Sequence, residues 1–175
     1  VAYSVFGSYA EYTAVPAAKC LPVPDDVPMD VAVSCVVQGL TAHYLTSDAH
    51  AQLIQPGELM LVHGVGGGTW QWAALMAKIR GYKVIGTCAK GKGDIGKATG
   101  VDELILYDEA PGTAYEDYES VDGLAKVLEI TDGAGCKAVI DGIGKATLDM
   151  SLGSLAQRGI FCLLYTSDAA DDQLG

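Results

Sequence analysis

Leu59–Arg80 reads LMLVHGVGGGTWQWAALMAKIR, and this stretch decides the fold. Its apolar opening, Leu59 to Val62, has Pro56-Gly57 in front and glycines behind, as a short buried strand does. Gly64, Gly66, Gly67 and Gly68 then allow a turn whose backbone can lie close to a ligand. Trp70 to Arg80 follows as a helix that is apolar on nearly every side. Strand, glycine turn and helix together make an anion-binding unit, because unpaired backbone N–H groups and the helix dipole both favour negative charge at the turn. The formal spacing G-x-G-x-x-G is not met. Counted from Gly64 it ends on Thr69, and counted from Gly66 it ends on Gln71.

Downstream, strand and helix signals alternate. Strands are expected at Lys83–Thr87, Glu103–Tyr107, Lys137–Asp141 and Gly159–Leu164, with helices at Asp94–Thr99, Val121–Thr131 and Lys145–Ala156. Residues 108–119 read as an acidic loop. Such alternation predicts an α/β fold, a doubly wound parallel sheet of the Rossmann-like type covered on both faces.

Upstream, Asp25-Asp26-Val27-Pro28 leads into a helix, and Gln38–Leu45 (QGLTAHYL) gives a second helical segment entered through a polar break. Tyr9–Val15 and Lys19–Val23 read as strands at the edge of a β domain too short to stand alone. The chain opens without Met and is expected to continue upstream. Cys162–Asp172 (CLLYTSDAADD) is acidic without apolar period and resembles one reading frame of a transposase adaptor. Residues 162–175 are therefore expected to be a non-native or disordered tail, the native sequence ending near Phe161.

The 175 residues carry 11 Lys and Arg against 22 Asp and Glu, a net charge of −11 that argues against general nucleic-acid binding. Any anionic ligand must be held by local donors. Half the residues are apolar, yet no run reaches the length of a membrane span. The five cysteines lie far apart without C-x-x-C, which suggests buried thiols in a cytoplasmic protein. The three histidines show no ligand-like spacing, so no metal is expected.

In a dinucleotide fold the residues just past the second strand choose the coenzyme. A carboxylate there bonds ribose hydroxyls, whereas cations accept a 2′-phosphate. Here Cys88-Ala89-Lys90-Gly91-Lys92 precedes the first acid, Asp94, a pattern that suits NADPH better than NADH; two solvated surface lysines are the plainer alternative. Tyr107 can reach the same pocket or be a half-buried aromatic. Asp141-Gly142-Ile143-Gly144 ends the fourth strand, where the glycines let backbone pass close to a nicotinamide and Asp141 is read first as a helix cap. Gln38 and Thr41 sit at a helix start that can face the cleft. No catalytic pair stands out, and the catalytic residues stay unknown. Hydride transfer is compatible with that absence, since the cofactor supplies the reactive atom.

Gly7–Lys19 (GSYAEYTAVPAAK), QGLTAHYL, Leu61–Gly68 (LVHGVGGG), Gln71–Thr87 (QWAALMAKIRGYKVIGT) and Val139–Ile160 (VIDGIGKATLDMSLGSLAQRGI), with their spacing, resemble the medium-chain reductases, and most closely the zeta-crystallin-like quinone oxidoreductases. The resemblance runs to about Phe161 and implies zinc-independent reduction of quinones or activated alkenes by NADPH. It implies that residues 1–27 are a fragment of a GroES-like substrate domain, that 28–161 form the dinucleotide domain, and that the chain lacks both ends of the family's substrate domain. Gln38 and Thr41 would lie near the nicotinamide, and Gly66, Gly67, Gly68 and Thr69 along the pyrophosphate. Lys92 and Tyr107 would meet the 2′-phosphate, with Lys90 a competitor, and Gly142, Ile143 and Gly144 would flank the nicotinamide amide. The resemblance implies a homo-oligomer when full length. An alkenal or enoyl reductase and a non-catalytic, crystallin-like NADPH-binding protein are the alternatives. One departure matters. Where the family pattern has a small glycine this chain has Trp70, whose indole is expected to force the helix away from the sheet or from the pyrophosphate.

Overall fold

Three runs of mostly apolar residues become the inner strands of a five-stranded, wholly parallel sheet in the order β3-β2-β1-β4-β5. The computed structural model describes residues 7, 9–49, 53–107 and 123–164. In chain order the elements are α1 (Met29–Ser34), a π-helical turn (Cys35–Gly39), α2 (Leu40–Thr46), β1 (Leu59–Val62) and α3 (Gly68–Ile79). They continue with β2 (Lys83–Cys88), α4 (Gly93–Ala98), β3 (Glu103–Leu106), α5 (Gly123–Ile130), β4 (Cys136–Asp141), α6 (Leu148–Gly153) and β5 (Leu155–Leu163).

Successive strand side chains point to opposite faces, so each buried run feeds two cores. Met60, Val62, Val84, Ala138 and Ile140 pack with Ala42 and Leu45 of α2 and Ala73, Ala74 and Ala77 of α3. Leu61, Ile85, Ile105 and Val139 face the other way, with Val127 of α5 and Met150 of α6. Fully burying one such Leu or Ile contributes roughly 1.5–3 kcal/mol. The alanines of α3 bring that helix close to the sheet, which fixes where its N-terminus meets the glycine turn. At the other end Lys78 bonds Asp102 at 2.6 Å, and Asp102 also accepts the Val84 N–H.

The sheet confirms the doubly wound parallel fold, with local corrections. Tyr9–Val15 and Lys19–Val23 do not form strands among the described residues; Ala17–Lys19 is a single 3₁₀ turn, and Leu21 makes only an isolated bridge. A strand needs a partner for its N–H and C=O groups, and Tyr9 and Tyr12 stand fully in solvent. The last helix is shorter than Lys145–Ala156, because residues 145–147 turn back so that the Thr147 N–H bonds Gly144 O. β5 begins at Leu155 rather than Gly159. Leu155 pairs with Cys136, the chain then bulges through Arg158 in the left-handed region, and regular pairing resumes at Ile160–Ala138. Pairing continues past Phe161, with Leu163 opposite Asp141. The whole of the expected acidic loop at 108–119, the start of the helix at Val121, and residues 165–175 of the expected tail lie outside the described residues.

Candidate functional site

The turn after β1 is built around backbone that only glycine tolerates easily. Gly64 has φ of 75°, in the left-handed region, and its N–H reaches Thr87 Oγ1 on β2. The Gly67 N–H bonds Gly64 O, and Gly67 precedes α3, whose first intrahelical bond is Gln71 N–H to Gly67 O. The N–H groups of the first helical turn therefore face the carboxyl edge of the sheet.

A pocket of about 200 Å³ opens at that edge. Gly64, Gly66, Gly67 and Trp70 form one wall, Cys88, Ala89 and Lys92 a second, and Tyr107 and Ile143 the rest. Lys92 closes the 3₁₀ turn Lys90–Lys92 and folds its stem over the glycine turn. A β-carbon on Gly66 would come 2.7 Å from Lys92 Cβ and 2.8 Å from its Cδ. Lys90, also exposed, is not among the lining residues. Gln38, on the π-helical turn, lays its amide against the start of α3, its Oε1 lying 2.5 Å from where a Gly68 β-carbon would stand. Thr69 is half-buried on the first turn of α3, and Thr41 is half-buried on α2, outside the pocket lining. The structure thus gathers Gly66, Gly67, Lys92, Tyr107 and Ile143 around one pocket, with Gln38 and Gly68 together beside it.

Of the two effects expected of Trp70, displacement of α3 from the sheet is not seen, since Ala73, Ala74 and Ala77 pack against the strands. The indole fits because three neighbouring positions lack a side chain. Its Cδ1 lies 3.3 Å from the β-carbon positions of Gly64 and Gly67, and a β-carbon on Gly142 would overlap the far end of the ring.

Behind the pocket lies a polar network that the sequence reading missed. His63, Thr87, Asp141, Thr147 and Ser151 are buried, as is Tyr107. Asp141 accepts four hydrogen bonds: from the N–H groups of Ile143 (2.8 Å) and Gly144 (3.1 Å), and from the hydroxyls of Thr147 (2.7 Å) and Ser151 (2.6 Å). It fastens the loop after β4 rather than capping α6 directly. Ser151 gives its only proton to Asp141, so it can only accept at its 3.1 Å contact with His63 Nε2. Nε2 therefore carries the imidazole proton, and Nδ1 accepts from Tyr107 Oη at 2.7 Å. Tyr107 in turn accepts from Thr87, which also lies 3.0 Å from Nδ1. Tyr107 borders the pocket with its ring while its hydroxyl is committed inward.

Burial pushes His63 down from 6.5 to about 4, against the pull of the Asp141 carboxylate. Burial would raise Asp141, but His63 and the hydrogen bonds from Ser151, Thr147 and Ile143 outweigh it and hold the carboxyl below its usual range. At neutral pH the network holds a neutral imidazole and a carboxylate. A buried His at the end of an apolar strand and a Thr inside VIGT were the available signals. Among the described residues no group of three or more His, Cys, Asp or Glu side chains could hold a metal, and no helix is long and apolar enough to cross a membrane.

No protein-family model matches the chain. Individual proteins do. Quinone oxidoreductase of Pseudomonas aeruginosa is 31% identical over 163 residues, covering 91% of this chain and 46% of that protein. The 2-haloacrylate reductase of a Burkholderia species is 33% identical over 162 residues, 91% of this chain and 44% of that protein. The structure of Escherichia coli quinone oxidoreductase complexed with NADPH superposes with a TM-score of 0.71 at 27% identity, over 91% of this chain and 48% of that one. This chain belongs to the medium-chain dehydrogenase/reductase family. It spans a little under half the length of these relatives. In this chain the parallel sheet, glycine turn and pocket lie together at the carboxyl edge, where open α/β sheets bind their ligands.

Proposed function

We propose that this chain is the coenzyme-binding portion of an NADPH-dependent reductase acting on a quinone or a related activated alkene. The observation that carries the reading is Lys92, laid across Gly66 at the mouth of the pocket, where no carboxylate of the described residues pairs with its ammonium group. A cation over a glycine turn in a chain of net charge −11 marks a local anion site, and its place just past β2 is where a 2′-phosphate falls in dinucleotide folds. The fit is good at this end. Gly66, Gly67 and the first N–H groups of α3 would hold the pyrophosphate, and Lys92 the 2′-phosphate. When bound, NADPH supplies the hydride. The network from Tyr107 to Asp141 holds the floor of the pocket in one arrangement. A 2-alkenal or enoyl reductase shares every one of these features, and a crystallin-like binding protein would share them without turnover. The reading extends to a cytoplasmic homo-oligomer with reduced thiols, in keeping with five scattered cysteines of which Cys88 and Cys136 are buried.

Calorimetric titration of the full-length protein is expected to give an NADPH dissociation constant at least tenfold below that for NADH, about 1.4 kcal/mol or more. Equal affinities would overturn the 2′-phosphate site. NADPH oxidation on adding a quinone separates an enzyme from a binding protein.

A further inference from the structure

We infer that Trp70 gates the coenzyme site, leaving the resting pocket open to a 2′-phosphoadenosine nucleotide and closed to the rest of the dinucleotide. The inference rests on the NADPH reading above. A dinucleotide on this sheet must run from the β2–β3 side, where Lys92 and Tyr107 lie, past the turn after β1 to the end of β4, because the strand order reverses between β1 and β4. The indole of Trp70 stands across that line. It projects from the first turn of α3, touches the turn at Gly64 and Gly67, and presses against Gly142 at the end of β4. The cavity it leaves, about 200 Å³, is smaller than the roughly 300–1,000 Å³ that drug-sized ligands occupy. On the β2–β3 side it is lined by Cys88, Ala89, Lys92 and Tyr107, and Trp70 and Ile143 line the other side.

Trp70 is only half-buried, with open pocket on one flank, so its ring has somewhere to swing. NADPH therefore binds only to the fraction of molecules whose indole has moved, while 2′,5′-ADP binds all of them. With an open population of about 10% or less, the apparent NADPH affinity is lowered about tenfold or more.

The test titrates NADPH and 2′,5′-ADP into the full-length protein and into Trp70→Gly. In the unaltered protein the two ligands are expected to bind within about threefold of each other. In Trp70→Gly, NADPH should tighten about tenfold or more while 2′,5′-ADP stays within about threefold. NADPH binding far tighter than 2′,5′-ADP in the unaltered protein, with no gain in the variant, overturns the gate and leaves the NADPH reading standing. Failure of both ligands to bind either protein overturns that reading and the gate with it. Should Trp70→Gly not fold, ¹⁹F NMR of fluorotryptophan-labelled protein decides, with Trp70→Phe identifying the Trp70 signal by its loss. That signal should shift on saturation with NADPH and hold its position with 2′,5′-ADP; equal shifts with both ligands overturn the gate.

Discussion

Asp141→Ala is expected to lower the free energy of unfolding by about 4 kcal/mol at neutral pH. Four donors converge on this buried carboxylate, two from backbone and two from hydroxyls. Alanine leaves all four without this acceptor, the hydroxyls of Thr147 and Ser151 among them in a buried place. The cost of stranding buried donors, more than the loss of net hydrogen-bond energy, sets the size of the effect. Asp141→Asn keeps the shape and one acceptor oxygen for Ile143 and Gly144 but turns an NH₂ toward the hydroxyls, so a loss of about 2 kcal/mol is expected. Urea denaturation followed by circular dichroism gives both values. A loss under about 1 kcal/mol for Asp141→Ala would mean the network is dispensable to the fold.

The second large effect is acid sensitivity. With His63 at about 4 in the folded protein and 6.5 as its ordinary value, the unfolded chain takes up a proton in that interval that the folded protein does not. Stability is thus full above about pH 6.5 and falls as pH drops toward 4, by as much as about 3 kcal/mol over the whole interval. Asp141, held low, adds its own loss only further down, as pH falls through the carboxylate range. Exposed carboxylates also titrate near the lower limit, so the informative quantity is a difference. His63→Gln is expected to flatten the fall between pH 6.5 and 4.5 while lowering stability at pH 7. Urea midpoints measured across that range for both proteins check it. Parallel curves would show that His63 is not the titrating group.

The parts of the molecule that depend on near neighbours in sequence were legible from the residues. Leu59–Val62 and Lys137–Asp141 read as buried strands because apolar side chains fill both faces, and their alternation with helical segments pointed to a parallel sheet. The glycine turn and the pair Lys90 and Lys92 were visible too, but which lysine reaches the pocket was not. A 3₁₀ turn only three residues long separates them and points Lys92 alone over Gly66. What could not be read depends on distant partners. The contact of His63 with Ser151 spans 88 positions, and that with Tyr107 spans 44. The fit of Trp70 on α3 depends on Gly142, in the loop after β4. Tyr9–Val15 alternates like a strand, yet alternation describes a surface and does not supply the neighbouring strand that would pair with it.

The account turns on a cation held over a glycine turn to receive a 2′-phosphate. Its most direct measurement is the ratio of NADH to NADPH dissociation constants in the full-length protein, in Lys92→Ala and in Lys90→Ala. Lys92→Ala is expected to weaken NADPH about tenfold or more, leave NADH within about twofold and bring the ratio close to one, while Lys90→Ala keeps the ratio of the unaltered protein. A ratio that survives Lys92→Ala unchanged would contradict the account.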